Sequence, residues 1–241
     1  MKVPFVNPAI NAAVSIFAAS SFQIFTPQPL LAAPTFPPPV QIQQYNTAVD
    51  IPQEMFQNHA SIYGRVERVA DGDTFRIRHI PNYPIQTTSE YKGKLSEYTM
   101  PIRLYAIDCP EVGKNGNPSM PAADDAKEWT RALVNGKVVK VTLLQKDQYN
   151  RVLGEVTTTT SSAAAAIGTD LSIGLAHNGY ATMYKGAGAE YDGHKDQIAR
   201  EVQWAKDHRV GMWITENVQT PAEYKREMKA KAKTAAGSSG A

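Results

Sequence analysis

The chain has little of what many hydrolytic sites are made from. It carries a single cysteine, Cys109, which excludes an internal disulfide and any cysteine-rich zinc site. Its five histidines fall in no metal-ligand spacing such as HExxH, so a zinc enzyme is not expected. The formal net charge is only +2, too small to argue for nucleic-acid binding by itself. Any electropositive surface must therefore be local. There is no internal repeat, and 241 residues fit one domain of ordinary size plus extensions.

Charge is absent altogether from Val3 to Val49. Inside that stretch Ala9 to Phe25 is apolar but diluted by Asn11, Ser15, Ser20, Ser21 and Gln23. It reads as a cleaved targeting segment with Lys2 as its positive end, as one short membrane anchor at the low end of the ~17–25 residues needed to span, or as an uncharged leader. Residues 1–33 are accordingly assigned as a targeting segment or anchor. The protein is then expected at a membrane, in an organelle or outside the cell, and not in the cytosol. Residues 34–59, rich in proline and glutamine, read as an extended spacer.

Residues 60–215 carry the patterns of a folded domain. Ile62 to Val69 alternates as a strand, Asp71-Gly72 is a hairpin-type turn, and Thr74 to Ile80 alternates apolar and basic residues. After a long loop from Pro81 to Met100, a third strand runs from Ile102 to Ile107, where Pro110 forbids an ordinary continuation. Two more strands, Lys137 to Gln145 and Val152 to Thr158, flank a turn at Asp147 to Arg151. Helices are expected over Ala122 to Leu133 with Gly136 as the stop, over Asp170 to Asn178 with Asp170 as the cap, and over Glu190 to His208. Thr157 to Ala166 is low in complexity and reads as an insertion, and residues 216–241 form a basic, helix-prone tail. The class is α+β, a five-stranded OB-fold barrel with about three packed helices.

The chemistry sits at the ends of these strands. Asp71-Gly72-Asp73-Thr74 and the run Arg103 to Glu111 place aspartates, a glutamate and an arginine together, and Asp147 to Arg151 adds a second arginine beside Tyr149. Carboxylates that hold a hard cation, beside two guanidinium groups, suit cleavage of a phosphodiester. Asp73 and Asp108 are the expected metal carboxylates, and calcium tolerates such a flexible oxygen shell. Taken singly each residue has a plainer reading: a turn former for Asp73, a strand end for Asp108, an exposed acid for Glu111, an outward strand residue for Arg103. His177 and His194 are read as structural or exposed.

These three motifs, in this order and with these elements between them, resemble the thermonuclease or staphylococcal-nuclease-like family from about Ser61 to Trp213. Asn178-Gly179-Tyr180-Ala181 and Gly211-Met212-Trp213 extend the likeness. Tyr63 to Val66, Gly188 to His194 and Pro221 to Lys225 are similar to stretches of membrane-anchored fungal proteins classed as probable endonucleases. The resemblance implies calcium-dependent hydrolysis of DNA and RNA with little sequence preference, breaking the 5′ P–O bond. It implies that Glu111 orients or deprotonates the attacking water, that Arg103 and Arg151 grip the phosphate, and that Cys109 lends its backbone carbonyl to the metal. Many relatives have threonine at that last position. It also implies nucleotide contacts from Tyr149 with Lys146, and from Tyr184 with Lys185. The rival reading is a noncatalytic OB module that binds nucleic acid or protein, a form in which the carboxylates or arginines are typically lost. Here all five charged residues are present.

Overall fold

The computed structural model describes residues 43–85, 92–114, 116–159 and 170–238. The alternating runs become β1 (Ser61–Asp71) and β2 (Thr74–His79), joined by the tight turn at Gly72-Asp73. Their inward residues, among them Ile62, Val66, Phe75 and Ile77, are buried, as period-two alternation demands of a strand with one wet face. β3 (Met100–Leu104), β5 (Val138–Lys146) and β6 (Val152–Thr158) complete a closed barrel in the order β1-β2-β3-β6-β5. All neighbours are antiparallel except β3 and β6, which pair in parallel with Arg103 opposite Leu153. The expected five-stranded barrel is therefore present.

The third strand is shorter than its sequence suggested. It stops at Leu104, and Ala106 takes a left-handed backbone conformation (φ 62°) that turns the chain out of the barrel. Ile107–Asp108 then forms a separate short strand, β4, paired with β7 (Thr182–Met183). Nothing in an alanine announces such a bend. This break carries Asp108 away from the barrel wall and onto the side of the helical layer.

Three helices form that layer. α2 (Ala123–Val134) lies against β1 and buries Ala123, Ala126, Thr130 and Val134. α3 (Leu171–His177) starts at Asp170, whose carboxylate accepts from the Ser172 amide at 2.7 Å, the cap expected there. α4 (Lys195–Asp207) packs on α3 and begins five residues later than expected, because Asp192 and Gly193 both take positive φ (45° and 79°). Tyr105 pins barrel to helices: its hydroxyl lies 2.5 Å from Asp170 Oδ2 and 2.6 Å from His194 Nδ1. His194 is thus structural, as expected, and His177 pairs with Glu201 at 2.8 Å.

One assignment at the domain edges needs correction and the other is filled in. Order does not begin at Ser61, because Ala48, Ile51 and Phe56 are buried in the main core, the last of them on α1 (Gln53–Gln57). The expected spacer over 34–59 is, in its later half, part of the folded unit. At the other end the helix-prone tail forms α5 (Pro221–Ser238), and Tyr224 on it is buried with Met120 and Ala123. The leader over residues 1–33, the start of the spacer, and most of the insertion over Thr157 to Ala166 lie outside the described residues. Among the described residues no helix is long and apolar enough to cross a membrane.

The upstream segment docks through His79. The Tyr45 amide donates to His79 Nδ1 at 3.1 Å, Gln44 Nε2 donates to the His79 carbonyl at 2.8 Å, and the Tyr45 ring stacks on the imidazole. Burial pushes the imidazole from its ordinary value of 6.5 down to about 4. The unfolded chain therefore binds this proton first, so the folded state loses stability as pH falls from 6.5 towards 4. A His79→Gln variant keeps an acceptor but does not titrate. Its urea-unfolding free energy is expected to fall less steeply over that interval, and an unchanged slope would show that His79 does not bear the load.

Candidate active site

Five of the expected residues meet where the β1–β2 turn faces the β3–β4 break. Gly72 makes this approach possible, since a Cβ there would lie 3.0 Å from both Cys109 Sγ and Ala126 Cβ. The Thr130 hydroxyl on α2 donates to the Gly72 carbonyl at 2.6 Å and holds the turn from behind. Asp73 next to it is 3% exposed. Its carboxylate accepts from the Cys109 amide at 2.8 Å and from the Thr74 hydroxyl at 3.0 Å, while its carbonyl accepts from the Leu104 amide. Asp73 is therefore bonded to the chain on both sides of the Tyr105–Ala106 break.

Arg103 lies between the two aspartates. Nη1 pairs with Asp73 Oδ2, and Nη2 donates to Asp108 Oδ1 at 2.6 Å and to the Ile107 carbonyl at 3.0 Å. A planar fork with fixed donor spacing suits such bridging, and a lysine could not do it. Burial would lower the Arg103 pKa, but Asp73 and Asp108 outweigh it and raise it. Burial alone would raise Asp73; Arg103 and the Cys109 amide reverse that and hold its carboxyl below the usual range. The Cys109 thiol is buried, and its burial together with the Asp73 charge pushes its pKa well up, so it stays neutral.

Glu111 follows on the same segment. Its backbone is fixed by Met120, whose amide donates to the Glu111 carbonyl at 2.9 Å, and its side chain remains 26% exposed. The remaining cation here was missed from sequence. Lys225 on α5 places its ammonium 2.7 and 2.9 Å from the two oxygens of Asp108 and 2.8 Å from Glu111 Oε1. Three carboxylates thus converge on two cations, one from the barrel and one from the C-terminal helix.

Arg151 is held on its own turn. Counting back from the Arg103–Leu153 pair, it lies on the same outer face of the barrel as Arg103. Its guanidinium, however, is held by Asp147 Oδ2 at 2.7 Å and lies over the Tyr149 ring at 5.5 Å. Tyr149 is 69% exposed at the tip of that turn, and Lys146 ends β5 in solvent. Tyr184 follows β7 and donates its amide to the Ala106 carbonyl at 2.8 Å, so it stands beside the strand of Asp108, with Lys185 exposed after it. One tyrosine–lysine pair therefore follows the strand beside Asp108, and the other sits on the β5–β6 turn that carries Arg151.

Among the described residues no three His, Cys, Asp or Glu side chains form a ready-made metal cage. The donors nevertheless fit a hard cation. Asp73 and Asp108 offer carboxylate oxygens, and the Lys225 ammonium already takes a cation position against Asp108, between it and Glu111.

A small closed barrel with helices on one side and a carboxylate–arginine cluster at a strand end defines a nuclease-type OB-fold domain. The profile described as "Staphylococcal nuclease homologue" matches residues 101–215. Endonuclease Htp3 of Saprolegnia parasitica is 37% identical over 183 residues, covering 76% of this chain and 84% of that protein. Proteins called "Probable endonuclease LCL3" from Komagataella phaffii and Candida tropicalis are each 34% identical, over 192 and 196 residues. Those matches cover 76% and 77% of this chain and 82% and 80% of theirs. The chain belongs to the staphylococcal nuclease homologue family.

Proposed function

We propose that the protein is a calcium-dependent endonuclease that hydrolyses phosphodiester bonds of DNA and RNA with little sequence preference. The observation that carries this reading is the convergence of Asp73, Asp108 and Glu111 on Arg103 and Lys225 at one mouth of the barrel. Asp73 and Asp108 would hold the cation, with the Cys109 carbonyl beside them. Bound calcium would supply positive charge against the phosphate oxygens.

The rest of the reaction falls to the chain's own groups. Glu111, partly exposed, takes a proton from the water that attacks phosphorus in line, while the 5′ P–O bond opposite breaks and the departing oxygen takes a proton from solvent, leaving a 3′-phosphate. Arg103, once a divalent cation shares its carboxylates, presents its fork to two phosphate oxygens, whose charge grows in the transition state. Arg151 swings from Asp147 to a second phosphate contact, with Tyr149 and Tyr184 offering faces on which any base stacks. Contacts of these kinds read backbone and ring, so they select no sequence. Such a nuclease is best kept from the nucleus, and the uncharged leader supports a place at or beyond a membrane.

Calcium addition to the full chain is expected to release acid-soluble fragments from single-stranded DNA and from RNA, and excess chelator to abolish that release. Equal release in chelator would overturn the metal reading. Binding of nucleic acid without cleavage under any divalent cation would favour the noncatalytic module.

A further inference from the structure

The position of Lys225 is at odds with an open, ready site. A phosphodiesterase needs its carboxylates free for a cation and a water, yet one ammonium touches both oxygens of Asp108 and one of Glu111. This lysine comes from outside the barrel and its three packed helices. It is brought in by α5, whose first turn is set by a reciprocal cap: Thr220 Oγ1 accepts from the Glu223 amide, and Glu223 Oε2 accepts from the Thr220 amide at 2.8 Å. Pro221, Tyr224 and Met228 recur at helical spacing on the face turned inward. Tyr224 packs on Met120 and Ala123 and donates its hydroxyl to the Pro118 carbonyl at 2.7 Å.

That attachment is small. Met120, Ala123 and Tyr224 form a cluster of their own, apart from the main core, with Val112 and Met228 at its edge. Lys225 itself stays 45% exposed while its partner Asp108 is 4% exposed at the side chain. A long, hydrated side chain therefore reaches in from a helix held by few apolar groups. Low local stability is what a displaceable element requires.

Asp73, Asp108 and Glu111 carry three negative charges against Arg103 and Lys225. Exchanging Lys225 for a divalent cation leaves the cluster neutral. Holding both would crowd a third cation against Asp108, which already meets Arg103 and Lys225, and like charges that close repel strongly when partly buried. The two states exclude each other.

We propose that Lys225 is a built-in stand-in for the divalent cation, and that α5 is a latch keeping the site closed until that cation displaces the lysine. This rests on the calcium reading above. It adds that the C-terminal helix sets the calcium concentration at which the enzyme switches on, and that helix and metal are coupled in both directions.

The test is calcium binding measured by calorimetry on the full chain, with three variants. Lys225→Met removes the stand-in charge, Lys225→Arg keeps it, and Tyr224→Ala loosens the helix while leaving Lys225 in place. Lys225→Met and Tyr224→Ala are expected to bind calcium about tenfold tighter, the scale of one partly buried ion pair, and Lys225→Arg close to wild type. Hydrogen exchange supplies a second readout: calcium should speed exchange of the amides from Tyr224 to Met228 in the unmodified chain. Equal calcium affinity for Lys225→Met and wild type, with both folded by circular dichroism, overturns the latch and leaves the calcium reading standing. Absence of calcium binding in every variant overturns both. Slower exchange of α5 on calcium addition would also overturn it, because the metal would then be closing the helix down.

Discussion

Glu111→Gln is expected to lower turnover by about 10²–10⁴-fold at saturating calcium, the range general-base catalysis typically contributes. The substitution is close to isosteric and removes the capacity to accept a proton together with the charge that Lys225 meets. The fold should not notice it, because Glu111 is anchored through its backbone to Met120 and its side chain is partly in water. The Arg103 bridge to Asp73 and Asp108 involves no atom of Glu111. KM should therefore stay within a few fold while kcat falls, the signature of an interaction made only in the transition state. Steady-state kinetics on a single-stranded oligonucleotide checks this, and near wild-type kcat would remove Glu111 from the chemistry.

Arg103→Lys is the second large effect, and lysine is the informative replacement. Alanine would strip both Asp73 and Asp108, each 3% exposed, of a partner, and an uncompensated buried charge costs about 3–5 kcal/mol in stability. Lysine keeps the charge and loses the fork. One ammonium cannot span Asp73 on one side and Asp108 with the Ile107 carbonyl on the other. The two carboxylates should drift apart and the phosphate should lose its bidentate contact. A fall in kcat/KM of about 10²–10³-fold is expected, comparable with loss of one preorganised donor elsewhere. Arg151→Lys should fall less, because Arg151 is 31% exposed and tied to the Asp147 turn, so its contact with phosphate needs a rearrangement in any case. Equal losses at the two positions would mean that Arg151 reaches the phosphate without leaving its Asp147 turn.

What the sequence conveyed depended on how local the cause was. β1, β2 and the start of α3 were legible because alternation and an Asp cap act within a few residues. Asp73, Arg103, Asp108 and Glu111 were legible for a related reason, since each sits at a strand end within a short motif. The break at Tyr105–Ala106 was not, because alanine carries no mark of a left-handed backbone and the strand pattern runs straight through it. Ala48, Ile51 and Phe56 were hidden among prolines and glutamines, where three apolar residues do not alter the composition. Lys225 was invisible in its role, because its partner Asp108 is 117 positions away and a lysine in a basic helix looks like its neighbours. The i, i+3, i+7 spacing of Pro221, Tyr224 and Met228 was the one available sign that this helix has an inner face.

The register of the barrel also determines where the chain can lengthen. β2 enters at Thr74, beside Asp73, and leaves at His79, level with Gly64 on β1 and thus at the far rim. The excursion from Ile80 to Thr99 departs from that rim and returns to it. Its return is fastened by Arg76, which donates to the Thr99 hydroxyl at 2.8 Å and to its carbonyl at 2.6 Å. Length gained there adds only slowly to the entropy of closing the loop. Extra residues between Pro81 and Lys94 would therefore leave the carboxylates in place, and this stretch is the natural graft point for a reporter peptide or a second recognition module on an otherwise unaltered nuclease.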